Sequence, residues 1–188
     1  MPAIPRFILS LAIVGTLGSF GRASAQDPPI VPQTPYDDFR VSQPARVTQR
    51  MGPTEITIVY NRPVARGREL FGALVPWDSI WNPGADEATR IEVDRDIVVE
   101  GRTLVAGRYS IWTIPQETGV WTVMFSRAWD VEHRPYPAGR EALTIEIVPR
   151  EASHMETLAF YFPVTTPESA VLALHWGTTM LPIALGHP

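Results

Sequence analysis

No cysteine and no lysine occurs among the 188 residues. The first absence removes disulfides, thiolate nucleophiles, thiolate metal ligands and lipid attachment at an N-terminal cysteine. The second removes Schiff-base chemistry. Every one of the 16 basic residues is therefore an arginine, set against 20 acids. A clean amphipathic helix of about twelve residues, the usual mean length, is also absent. So are G-x-S-x-G, either glycine-rich phosphate loop, and any HExxH-type spacing among His133, His154, His175 and His187. Ser110 sits inside an ordinary strand pattern. No cofactor is called for. A metal site would need His133 to converge with carboxylates such as Asp130 and Glu132, and no metal is expected.

What is present begins with an export signal. Arg6 supplies a positive start, residues 7–20 an apolar run, and Ala23-Ser24-Ala25 a small-residue cleavage pattern. Residues 1–25 thus read as a signal peptide, and cleavage near Ala25 implies a periplasmic or extracellular home. The run is too short to span a bilayer comfortably. Without it the chain keeps 163 residues and loses Arg6 and Arg22, leaving 14 arginines against 20 acids, a net charge of −6. That balance disfavours nucleic acid and anionic membranes as partners. Pro28, Pro29, Pro32, Pro35 and Pro44 make 26–44 an extended linker. A single domain is expected over 45–188, with no sign of its oligomeric state.

Within that domain the dominant period is two. Ile56, Ile58 and Tyr60 alternate with Glu55, Thr57 and Val59, and Trp121, Val123 and Phe125 share one face. Glu100-Gly101 reads as a two-residue hairpin turn. Short apolar runs follow at 108–115, 120–126, 142–149, 157–163 and 170–176. Residues 179–185 suggest a last edge strand interrupted by Pro182. His175 is expected at the surface or an edge. The fold class is all-β, an antiparallel two-sheet sandwich of jelly-roll or immunoglobulin-like order. A long irregular loop follows its first strands, where a short helix within 68–74 or 77–81 has room.

That loop, 61–89, concentrates side chains that do chemistry: Arg62, Arg66, Arg68, Trp77, Trp81, Asp78, Asp86 and Glu87. Guanidinium forks suit carboxylates, phosphates and sulfates, and tryptophans off any strand suit a ring or an apolar ligand. Arg62, Arg68, Trp77, Trp81, Asp86 and Glu87 are the candidate ligand-binding set, with Asp86 and Glu87 orienting the arginines or the ligand. The competing reading is a brace, in which Arg62 and Arg68 pair with Glu69, Asp78, Asp86 or Glu87 and the tryptophans fill core.

Arg62-Pro63, Gly67-Arg68, Phe71-Gly72, Leu74-Val75-Pro76-Trp77, Trp81 and Gly84-Ala85-Asp86-Glu87-Ala88-Thr89 occur in that order. Ala106-Gly107-Arg108-Tyr109-Ser110, Thr113-Ile114-Pro115, Trp121-Thr122-Val123, Trp176 and Pro182 follow. The series resembles a secreted bacterial family catalogued as domain of unknown function 2911, over 41–185. It departs at Asn82-Pro83, where the family tends to carry a basic residue, and over 128–140. The resemblance implies a periplasmic or extracellular β-rich domain and lends no activity. Three functions stay open: a non-catalytic module binding a small molecule, glycan or envelope component; a glycosidase-like envelope hydrolase using two of Glu69, Asp78, Asp86 and Glu87; or a structural or protein-interaction domain working through a sheet edge. The last predicts no pocket near the tryptophans.

Overall fold

The computed structural model describes residues 40–188. The signal peptide and most of the linker expected from the sequence lie outside these residues. The described chain is all β, in ten strands: β1 Gln43–Met51, β2 Thr54–Arg62, β3 Arg90–Val93, β4 Ile97–Val99, β5 Arg102–Leu104, β6 Gly107–Ile114, β7 Trp121–Ser126, β8 Glu141–Ile147, β9 Arg150–Thr165 and β10 Ser169–Gly186. The first strand starts two residues before the expected domain edge at Ala45. No helix forms at 68–74 or 77–81, where turns and bends run instead.

One sheet is a meander of six strands in the order β1-β2-β3-β6-β7-β8. The β4–β5 hairpin, turning at Glu100 (φ 47°) and Gly101 (φ 77°), leaves the meander and joins a second sheet, β5-β4-β10-β9. All strand pairs are antiparallel. Period-two alternation puts Ile56, Ile58, Ile91, Ile111, Val123 and Phe125 of the first sheet in one core with Leu158, Phe160, Leu172, Leu174, Leu181 and Ile183 of the second. Burial of this kind is worth roughly 1.5–3 kcal/mol for each large apolar side chain. A smaller cluster of Ala88, Trp112 and Met124 packs with Val131 and Tyr136, from the segment at 128–140. Tyr136 meets the Trp112 ring edge-on at 5.1 Å.

Two expectations are corrected. Residues 179–185 are not a separate edge strand but the far half of β10, which lies between β4 and β9. Pro182 falls after the last pairing with β9 (Met180 with Arg150) and before the pairing with β4 (Leu185 with Val99). No ladder there asks for its missing N–H. Because β10 is internal, His175 is buried, 3% exposed. Its Nε2 donates to the Ser153 carbonyl at 3.0 Å, and its Nδ1 accepts from the Tyr161 hydroxyl at 3.1 Å. A carbonyl can only accept, so the pairing fixes the tautomer.

Candidate functional site

Residues 63–89 are irregular in outline but hydrogen-bonded to both sheets. At one end, Val64 bridges Thr157 of β9, Ala65 N–H donates to the Glu156 carbonyl at 2.8 Å, and Leu158 N–H donates to the Pro63 carbonyl at 2.9 Å. At the other end, Trp81 and Thr113 exchange backbone bonds of 2.8 and 2.7 Å, and Asp78 N–H reaches the Pro115 carbonyl at 2.8 Å. Strand β3 pairs with β6 only as far as Ser110. The loop thus takes over as the partner of β6 where β3 has ended.

Asn82 locks this second end. It is buried, its Nδ2 donating to the Ile111 carbonyl at 2.7 Å and its Oδ1 accepting from Thr89 N–H at 3.1 Å. The Thr89 hydroxyl donates to the Pro83 carbonyl at 2.8 Å. A basic side chain at 82 could not supply this donor–acceptor pair. Asn82 is therefore a structural brace at this position.

Between its two ends the loop carries an aromatic cluster. Phe71 meets Trp121 edge-on at 4.8 Å and Trp81 at 5.7 Å, while Trp77 lies beside it at 6.1 Å and 25°. Trp81 stacks on Trp176 of β10 at 6.0 Å and 17°. Trp77 and Trp81 are therefore partly buried against the main core rather than free-standing platforms. Gly72, at φ 90°, allows this packing: a Cβ there would lie 2.5 Å from Trp77 Nε1.

The loop, the start of the described chain and 133–134 enclose an open cleft of about 350 Å³. Its apolar wall includes Val64, Leu74, Ile80, Trp81 and Trp176, and its polar lining Arg66, Arg68, Arg134, His133, Asn82 and two serines. No aspartate or glutamate lines it. Arg66 and Gly67 (φ 54° and 68°) form the centre of a tight turn closed by Arg68 N–H to the Ala65 carbonyl at 3.1 Å. Both central residues have positive φ, the type I′ signature.

The six candidate residues come to four different places. Trp81 and Arg68 line the cleft. Arg68 also braces its own turn, Nε to the Ala65 carbonyl at 2.9 Å and Nη2 to the Val64 carbonyl at 2.6 Å. Arg62 is away from the cleft, its Nε donating to the Leu158 carbonyl at 3.1 Å on the edge of β9. Trp77 lines a neighbouring depression with Leu70, Phe71 and Gly177, which shares Arg68 and Trp176 with the cleft. Asp86 and Glu87 do not meet Arg62 or Arg68 among the described residues; their cation is Arg40, 4.0 and 2.6 Å away. Glu87 also accepts from Asn61 Nδ2 at 2.8 Å. The Arg40 hydrogen bond, backbone donation and Asn61 together hold the Glu87 carboxyl down at about 2. So Arg62 and Arg68 do brace the loop, but onto carbonyls rather than onto the carboxylates first paired with them.

Arg134 lines the cleft without any signal in the sequence, and His133, weighed above only as a metal ligand, lines it too. They reach the cleft because 131–133 pairs with 86–88: His133 N–H donates to the Asp86 carbonyl at 2.9 Å and Ala88 N–H to the Val131 carbonyl at 2.9 Å. The His133 Nδ1 also faces the Asp86 carbonyl, at 2.6 Å. A pairing across so many residues leaves no local signal in the chain. Arg66, in the same loop but outside the six candidates, lines the cleft as well. Among the described residues no three of His, Asp and Glu gather as metal ligands, and no helix is long and apolar enough to cross a membrane.

No curated protein and no solved structure matches this chain. A family described as "Protein of unknown function (DUF2911)" matches residues 42–185, and the chain belongs to that family.

Proposed function

We propose that this member of the family is an exported, non-catalytic binding module that holds a small molecule or a glycan or envelope fragment in the cleft under its long loop. One observation carries the reading. Val41, Leu74 and Ile80 are three of the seven large hydrophobics left exposed among the described residues, and all three line this one cleft. Scattered apolar side chains on a surface need no account, but several gathered in a concavity beside two stacked tryptophans make a ligand site. The volume sits at the small end of the range of about 300–1,000 Å³ usual for such sites.

The cleft offers little for chemistry. Paired-carboxylate hydrolysis needs an acid and a base across the substrate, and the lining carries neither aspartate nor glutamate. Ser42 and Ser79 also line it, yet neither hydrogen-bonds to His133 among the described residues. A serine without a base in reach is a weak nucleophile. Export rests on Arg6, the apolar run at 7–20 and Ala23-Ser24-Ala25.

A thermal-shift panel of sugars, carboxylates, nucleotides, divalent metals and envelope extract tests the reading, with Ile80→Asp as the blocked-cleft control. Ile80 is 45% exposed, so the substitution leaves the core alone. A ligand at about a hundred times its Kd adds about 2.7 kcal/mol, a rise of roughly 5–10 °C in a domain of this size. The expected result is a concentration-dependent rise that Ile80→Asp removes. A flat response to the whole panel, or a rise that Ile80→Asp leaves intact, would overturn it.

A further inference from the structure

We infer that the ligand of this cleft is an amphipathic organic anion, with its apolar body against Trp81, Trp176, Leu74 and Ile80 and its oxyanion head among Arg66, Arg68 and Arg134. The inference rests on the binding-module reading and names the chemistry of that same site.

The first argument is charge. Acids outnumber bases in this chain, 20 to 16, yet the charged residues lining the cleft are three arginines and no carboxylate. Three of the neighbouring acids are already engaged. Glu156 accepts from the Arg66 backbone N–H at 2.6 Å and from His154 at 2.9 Å, behind the turn. Asp86 and Glu87 are paired with Arg40. Among the described residues Arg66 and Arg134 make no ion pair at all. A low-dielectric wall beside unneutralised guanidinium groups attracts an anion and repels a cation.

The second argument is conformational. Arg66 occupies the first central position of a type I′ turn, at φ 54°. That position favours asparagine, aspartate or glycine, and a long side chain there is under strain. The turn's own stability gains nothing from arginine, so its side chain answers a need outside the turn. Arg68 is the complementary case. Two of its nitrogens are fixed on the Val64 and Ala65 carbonyls, which orients its remaining donors before any ligand arrives. Carboxylate and phosphate heads both match a guanidinium fork.

The third argument is the division of the lining. Arginines of the turn at 65–68 and of the separate segment at 133–134 contribute the charge, while Trp81, Trp176, Leu74 and Ile80 contribute the apolar wall. A small inorganic anion would leave that wall wet, and a hydrocarbon would leave the arginines unanswered. A molecule with one end of each kind satisfies both.

Tryptophan fluorescence titration of the full protein with octanoate, octyl phosphate, 1-octanol and octylammonium tests this. Octanoate or octyl phosphate should bind at least tenfold more tightly than 1-octanol, with octylammonium weakest, and whichever anion binds better names the head group. The anion preference should shrink in high salt. Arg66→Asn combined with Arg134→Gln should cut it sharply, leaving only what Arg68 supplies, with Tm unchanged, since asparagine suits the turn. Arg134→Gln alone should reduce it. Equal affinity for 1-octanol and octanoate overturns the anionic head and leaves the binding module standing. So does a panel in which only neutral sugars bind in an Ile80-dependent way. Silence of every octyl probe and of the earlier panel overturns both.

Discussion

The amide of Phe160 donates to the hydroxyl of Tyr60 at 3.1 Å, across a hundred residues of chain. Phe160 lies on β9, the edge of the four-stranded sheet, where a partner strand is missing. A side-chain hydroxyl from the other sheet stands in for that strand, and its ring meets Phe160 edge-on at 5.0 Å. Just beyond, Arg62 Nε serves the Leu158 carbonyl and 63–65 pairs with 156–158. Open edges invite pairing with other chains, and covering them is a known remedy. Tyr60→Phe keeps the ring and removes the acceptor. We expect a loss of about 2 kcal/mol from the stranded amide, or roughly 4–8 °C in Tm, with ligand binding intact. An unchanged melting curve would mean that water replaces the hydroxyl.

Asn82 is the second test. Asn82→Ala strands the Ile111 carbonyl and the Thr89 amide, both now served by one side chain. The expected cost is about 3 kcal/mol, with amide exchange rising first at Thr89 and Thr113. Exchange rising equally everywhere would show that the brace belongs to the global fold rather than to the loop.

Acid should loosen the contact at Glu87. Its folded pKa of about 2 lies below the ordinary 4.5. A depressed carboxyl stabilises the fold above its unfolded value, and that contribution is lost as pH falls from about 4.5 towards 2. Glu87→Gln should flatten the fall in Tm over that window and lower Tm slightly at and above about pH 5, where the charge contributes fully. The carboxylate is half exposed, so the effect is modest and salt-sensitive. Parallel pH profiles for the two proteins would refute the assignment.

At Gly72 the prediction concerns an indole. Gly72→Ala puts a Cβ 2.5 Å from Trp77 Nε1 and asks alanine to hold φ 90°. We expect a loss of about 1–3 kcal/mol and red-shifted tryptophan emission as Trp77 is pushed into water. Unchanged emission would count against the stacking of Trp77 on Phe71.

The strands were legible because burial imposes a period of two, and Trp121, Val123 and Phe125 are indeed fully buried. The Glu100-Gly101 turn was legible from its residue types. Strand order was not, and with it went His175 and Pro182: whether a strand is internal depends on which neighbours it finds, and no local pattern encodes that. The cleft was half legible. Arg68 and Trp81 stood in an evident cluster, whereas Arg134 enters through a pairing with distant chain. Arg62 was a plausible anion ligand by type, but its side chain is taken up by a sheet edge, a use invisible until the edge exists.

The double attachment of 63–89, to β9 at one end and to β6 at the other, has a kinetic side. A disulfide is the usual covalent fastening for such a segment, and this chain has no cysteine with which to make one. Its fastening is reversible. Were the Trp81–Thr113 end to detach while the β9 end held, it would do so on the microsecond-to-second scale of local opening. Trp81 forms part of the cleft wall and part of that fastening at once. Entry and escape of a bound molecule would then be timed by the loop letting go of β6, and a captured molecule touching Trp81 would slow its own departure.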